Sequence, residues 1–237
     1  MPFGCCNTAA SAGMVCGMER LKIIVTAGPT REYIDSVRFI SNASSGLMGC
    51  EVAAAAAGAH DVTLLIGGGS LPAGIAQRLE SVRIAPFGSV TDLKDKLTGL
   101  FADCDVLVMA AAVGDFRPVE PVEGKIPRGG GPVTLRLEPT EDILAGLAAG
   151  KRSGQIVVAF AVEDGPREQI EAKAMAEAEA KGADCVVVNT PAAMGSDESE
   201  ACILIGDTAG LPWAYRPKAV LAREIVRLIE AINAKGA

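Results

Sequence analysis

The sequence predicts an α/β fold: a Rossmann-like, doubly wound, mostly parallel sheet with an inserted flap and C-terminal strand and helix elements. Three observations point there. Short apolar or β-branched runs at 21–26, 61–66, 105–110, 155–161 and 183–189 alternate with stretches of helical spacing. Gly and Pro clusters stop strands at 27–29 and 67–69. The composition, 49% hydrophobic but only 4% aromatic and rich in Ala, Gly and Val, suits helices seated closely on a sheet.

Taken in order, residues 21–26 (LKIIVT) read as a buried strand ending in the turn Ala27, Gly28, Pro29, Thr30. Residues 31–39 are charged and irregular, and lead into the loop 38–49 (RFISNASSGLMG). That loop opens onto a small-residue helix at 50–59, with Ser44 or Ser45 as its cap. A helix N-terminus has free N–H groups and a positive dipole end, so a phosphate or carboxylate is stabilised there. Gly46 would let a ligand approach the backbone. The next strand, 61–66, completes a βαβ unit with a parallel, right-handed crossover.

The pattern repeats with a strand at 82–86, a helix at 89–101 and a central strand at 105–110. The carboxyl end of that strand, 110–117 (AAAVGDFR), should lie beside the end of the first strand, where open α/β sheets bind ligands. A Pro- and Gly-rich flap spans about 117–132 and carries Lys125 and Arg128. Residues 133–138 alternate as a strand with one wet face, and a short helix at 141–149 has Thr140 as its cap. The strand 155–161, helix 167–181 and strand 183–189 follow. A hairpin at 201–205 and 213–215 and an amphipathic helix at 217–232 close the chain. Residues 1–20 read as a disordered leader and 21–237 as one nucleotide-binding domain.

At 237 residues and a net charge of −7, the chain can bury a sizeable core but lacks the basic surface that a nucleic-acid polymer requires. A single nucleotide needs only local cations and N–H groups. The seven cysteines have no zinc or disulfide spacing, and read as reduced thiols of a cytoplasmic protein. No apolar run reaches the ~20 residues of a membrane span. His60 is the sole histidine, which removes most imidazole-based schemes.

There is no GxGxxG after the first strand, which disfavours a nicotinamide-dependent oxidoreductase or epimerase, and no Walker A motif. Lys125 in the flap reads either as a solvated loop lysine or as a cation that folds over phosphates. Asp115, after a buried strand, is either a turn cap or an acceptor for a ribose hydroxyl or metal. Lys181 at a helix C-terminus is explained by the helix dipole alone. A nucleotide-binding protein without catalysis fits the same residues.

Eight motifs in order, TAGPTRE, VRFISNASSGLMG, VMAAAVGDFRP, GKI, TEDIL, VVAFAVE, KGADCVVVN and MGSDESE, resemble those of the phosphopantothenoylcysteine synthetase family. This is the ligase of coenzyme A synthesis, and the match covers about 21–232. The resemblance implies activation of the 4′-phosphopantothenate carboxylate by a nucleoside triphosphate, CTP over ATP, to an acyl-nucleotidyl intermediate that cysteine's amine attacks. By the family's motifs Asn42 holds the intermediate, and Lys125 and Lys181 contact phosphates. Ala110 and Ala111 lie under base and ribose, while Asp115, Asp142, Ile143 and Phe160 line the nucleotide site with Gly28, Ser44, Ser45 and Gly46. The resemblance also implies Mg²⁺, for which the sequence names no ligands, a homodimer with the site built across two subunits, and a separate flavin-dependent decarboxylase as a partner. Leu47, Thr140, Glu141 and Glu177 depart from the family's usual residues, with lysine lost at 47 and 177.

Overall fold

The computed structural model describes residues 19–129, 131–206 and 208–236. The leader expected at 1–20 therefore falls almost wholly outside the described residues. Strand β1 (Lys22–Ala27) is followed by a small hairpin, β2 (Arg31–Tyr33) and β3 (Phe39–Ser41), and by helix α1 (Leu47–Ala56). Next come β4 (Asp61–Ile66), β5 (Arg83–Pro86), α2 (Val90–Phe101) and β6 (Val106–Met109). The short strands β7 (Phe116–Pro118) and β8 (Leu137–Pro139) flank the flap and precede α3 (Ile143–Ala148). The chain ends with β9 (Ile156–Val162), α4 (Arg167–Ala180), β10 (Cys185–Asn189), β11 (Glu198–Ile205), β12 (Thr208–Pro217) and α5 (Lys218–Gly236).

Eight strands form one sheet in the order β12-β11-β10-β9-β6-β1-β4-β5, the expected mostly parallel doubly wound arrangement. The β10–β11 and β11–β12 pairings are antiparallel, and the rest are parallel. The central strands are apolar on both faces because helices cover both sides. On one side α1 and α5 pack over Ile23, Val25, Leu64 and Val108, with α5 contributing Leu221, Ile225 and Ile229. On the other, α2, α3 and α4 cover Ile24, Leu65, Leu107 and Val186. Each such aliphatic side chain contributes roughly 1.5–3 kcal/mol on burial. After β5 the chain crosses back over β1 to start β6, so the strand order reverses between β1 and β6 and leaves a crevice beyond their carboxyl ends.

Several local expectations are corrected. Residues 31–39 are irregular only over 34–38, because Arg31–Tyr33 pairs with Phe39–Ser41 in the β2–β3 hairpin. That hairpin is fixed to the main body by the buried Glu32, whose Oε1 accepts from Val90 N at 2.7 Å and so caps α2 from outside. Helix α1 starts at Leu47 rather than Cys50, and its cap is Gly46 with φ 77°, not Ser44 or Ser45. Of the segment 133–138 only 137 and 138 are strand, as part of β8, which pairs with β7 in a separate two-stranded sheet. Asp142, not Thr140, caps α3, accepting from Ala145 N at 3.0 Å, while Thr140 donates its hydroxyl proton to Gly114 O. The terminal hairpin and helix extend further than their apolar cores alone indicated.

The first half of the flap is tied down. Val122 N donates to Ile34 O, Ser36 N to Gly124 O and Ile126 N to the Asp35 carboxylate. Burial pushes the Asp35 carboxyl up, but the N–H groups of Val37, Arg38 and Ile126 and the Arg38 guanidinium outweigh it and hold it below the usual carboxylate range.

Helix α1 meets β1 through Gly49, where a Cβ would stand 2.6 Å from Ala27 Cβ and 2.7 Å from Thr26 O. Backbone and a strand Cβ cannot yield as a flexible side-chain tip can. Gly49→Val is therefore expected to destabilise the fold by about 1–3 kcal/mol, the cost of overpacking a tight core. Urea denaturation with an unchanged midpoint would show that α1 lifts off β1 freely.

Candidate functional site

Beyond the carboxyl ends of β1 and β6 lies a cavity of about 550 Å³, within the range typical of small-molecule sites. Several segments build it. The loop before α1 supplies Asn42, Ser44, Ser45 and Gly46, the turn after β6 supplies Ala110 to Asp115, and α3, α4 and β9 supply Asp142, Ile143, Phe160, Glu177 and Lys181.

The turn after β6 is held as a rigid floor by β1 and its extension. Thr26 Oγ1 accepts from Ala111 N at 3.0 Å, Ala112 N donates to Gly28 O at 3.0 Å, and Thr30 Oγ1 accepts from Gly114 N at 2.9 Å. Thr26 is wholly buried, so its hydroxyl serves only to bind these two strand ends together. Asn42 joins the loop before α1 to the same turn, its Nδ2 donating to Val113 O at 3.1 Å. Gly46 N donates to Ser44 Oγ and Leu47 N to Ser45 Oγ, so the serines order the approach to α1 without capping it. The next N–H groups of α1 have no carbonyl one turn earlier in the helix, and α1 directs that positive end at the cavity.

Charge in the cavity is mixed. The lysines are Lys181 and Lys218, and the carboxylates are Asp115, Glu141, Asp142 and Glu177. Lys181 Nζ stands 3.2 Å from Asp142 and 3.9 Å from Glu177. The Lys94 ammonium beside Glu141 holds that carboxyl below its usual range. Lys218 is only 6% exposed, its Nζ donating to Ala193 O at 2.8 Å and Ser196 O at 2.6 Å. Burial pushes the Lys218 ammonium down, against a smaller opposing pull from Asp197.

The structure thus brings Asn42, Ser44, Ser45, Gly46, Ala110, Ala111, Asp115, Asp142, Ile143, Phe160 and Lys181 to one cavity. Two residues singled out in the sequence do not line it. Gly28 lies behind Gly46, whose added Cβ would meet Gly28 Cα at 3.1 Å, and Lys125 is exposed on the flap. Sequence reasoning passed over Asn189, Met194, Gly195 and Lys218, which form the far end. Asn189 had a signal, as a polar residue ending an apolar strand, and its Oδ1 is buried without a hydrogen-bond partner. Lys218 had none, because nothing in its spacing distinguishes it from a solvated first-turn lysine. Among the described residues no cluster of three or more His, Cys, Asp or Glu is placed to hold a metal. Cys50, Cys104, Cys185 and Cys202 are free and buried. Burial raises all four thiols, those of Cys50, Cys185 and Cys202 to about 12, which leaves them unreactive.

Among known proteins the chain is similar to the coenzyme A biosynthesis bifunctional protein CoaBC of Mycolicibacterium smegmatis, 39% identical over 229 residues, covering 90% of this chain and 53% of that one. It is also similar to a cysteine/cysteine sulfinic acid decarboxylase of an unknown prokaryotic organism, 35% identical over 213 residues, 88% of this chain and 57% of the other. The chain spans about half the length of these curated relatives. The crystal structure of the C-terminal domain of CoaBC superposes with a TM-score of 0.71 at 28% identity, over 92% of this chain and 98% of that one. The resemblance drawn from the eight motifs is borne out by these matches. Residues 18–232 match the DNA/pantothenate metabolism flavoprotein C-terminal domain, and the chain belongs to that family.

Proposed function

We propose that the chain is a phosphopantothenate–cysteine ligase of coenzyme A biosynthesis, acting in the cytoplasm. The observation that carries this reading is the cavity itself: an ordered alanine floor beside a helix N-terminus, in a chain 39% identical to a CoaBC protein. A carboxylate oxygen of 4′-phosphopantothenate attacks the nucleotide's α-phosphorus as the bond to the β-phosphate breaks and pyrophosphate leaves. Cysteine's amine nitrogen then attacks the acyl carbon, the acyl–oxygen bond to the nucleoside monophosphate breaks, and the amine loses a proton.

Each residue has a place in this scheme. The N–H groups opening α1 and the Lys181 ammonium offset phosphate charge, because the first step brings anions together. Asn42 Nδ2 moves from Val113 O to the acyl-nucleotidyl intermediate, a short exchange for an exposed amide. Ala110, Ala111 and Phe160 receive the base and ribose, and Asp115 and Ile143 border them. The cavity's carboxylates would suit Mg²⁺ bound together with the triphosphate, and Asp142 would be a candidate ligand. When bound, that ion neutralises charge on the triphosphate.

We assign CTP as the preferred nucleotide. The alanine floor is fixed by three hydrogen bonds, and a rigid backbone rejects a wrong base edge by leaving its own groups unpaired. The protein is taken to act as a homodimer. Tyr33, Phe39, Phe116, Val133, Leu135 and Leu137 are exposed on the two small hairpins, and β2 rests on β7. Both hairpins have a free edge, and apolar edges of this kind are normally covered. In such a dimer Lys125, which does not line its own cavity, reaches the partner's. A flavin-dependent decarboxylase, whether fused or separate, would supply the next reaction.

The assignment is tested by incubating the protein with CTP or ATP, phosphopantothenate and cysteine and following pyrophosphate. Release that requires phosphopantothenate is expected, and none with either nucleotide would refute the ligase reading. kcat/KM is expected to be higher for CTP, and the reverse order would overturn the nucleotide assignment alone. Asn42→Asp should lower turnover by about 100-fold or more, the usual cost of losing one donor to a developing charge. Its circular dichroism melt should match the parent, since Asn42 is exposed. Light scattering should give twice the chain mass at concentrations where the enzyme turns over, and a monomer would remove the shared site.

A further inference from the structure

Lys181 is the cation best placed to meet a ligand's phosphates, yet it is already surrounded by negative charge. It caps the C-terminus of α4, where the unpaired carbonyls of the last turn make a negative pole. Asp142 stands 3.2 Å from its ammonium and Glu177, one turn earlier on α4, 3.9 Å away. The two carboxylates differ in how firmly they are held. Asp142 is anchored, its Oδ1 accepting from Ala145 N at 3.0 Å as the cap of α3. Glu177 is placed between Lys173 and Lys181, at 3.9 Å from each, and its side chain is 47% exposed. Lys173 has its own closer partner in Glu163 at 2.8 Å.

An i,i+4 ladder on a solvated helix face is ordinarily a minor stabilising feature. Here the ladder's last two members, Glu177 and Lys181, line the cavity together with Asp142. We propose that Glu177 is a positioning residue that competes with the nucleotide's phosphates for Lys181 and thereby weakens nucleotide binding. This rests on the ligase reading and concerns the affinity of that same site. An arriving phosphate has to displace the loosely held Glu177 and also meets its charge, so the carboxylate raises KM. Chemistry at the α-phosphorus does not involve Glu177, so kcat is left alone.

The test compares the parent, Glu177→Gln and Glu179→Gln, the last removing the same charge from an exposed position that does not line the cavity. KM for CTP, and for ATP, is measured by pyrophosphate release and checked by calorimetric titration of CTP without phosphopantothenate. Glu177→Gln should lower KM about two- to fivefold, the scale of a solvent-exposed ion pair, with kcat unchanged. The gain should shrink in high salt, which screens the same interaction. Glu179→Gln should leave KM where it is. The proposal is overturned if Glu177→Gln has the parent KM or a higher one, if kcat alone responds, or if Glu179→Gln lowers KM equally, which would make net charge the cause. A parent that turns over normally beside an unresponsive Glu177→Gln rejects this inference only. A parent that neither binds CTP or ATP nor releases pyrophosphate rejects the ligase reading and this inference with it.

Discussion

The site depends on the close seat of α1 against the end of β1. Gly49 permits a contact that any Cβ would block, and Gly46, in the left-handed region, turns the chain sharply into the helix beside Gly28. If α1 stood farther out, its N-terminal N–H groups would no longer bear on the space above the turn after β6. The same compression explains why this region is built from Ala and Gly. Larger residues would have gained burial but lost the approach.

Around that seat, polar groups are spent on positioning. Thr26 and Thr30, both buried, use their hydroxyls to bind the turn at Ala111 and Gly114 to β1 and its extension. Glu32 anchors the outer hairpin to α2, and Asp35 gathers its own loop and the flap onto one carboxylate. Buried acceptors of this kind are costly unless every lone pair finds a donor, and here backbone N–H groups supply them. The hairpins and flap are thereby ordered in spite of contributing little to the apolar core.

Both lysines that line the cavity are already engaged. Lys218 is engaged by two carbonyls, and Lys181 by carboxylates and a helix end, so the field that meets an incoming anion is set largely by α1 and by which carboxylates can move aside. No acidic side chain stands in the first turn of α1, so its positive end is not offset from within the helix. A site that relies on that end does not depend on a side-chain cation at the start of α1, where Leu47 stands.

The sequence by itself determined the layered α/β architecture, since runs such as KIIVTA and CVVVN can only be covered on both faces, and the amphipathic spacing of α2 and α5 names the helices that cover them. It also determined which loops gather, because a parallel sheet sends all its carboxyl ends to one side. What only the tertiary structure decided was which competing local option each polar residue took. Ser44, Ser45 and Thr140 were reasonable caps by type, but the packing of α1 and α3 chose Gly46 and Asp142. Gly28 and Lys125 could not be placed from sequence, because whether a residue lines a cavity depends on neighbours remote along the chain. Lys218 and Asn189 were missed for the same reason. Their burial comes from long-range contacts, which carry no periodic signature in the sequence.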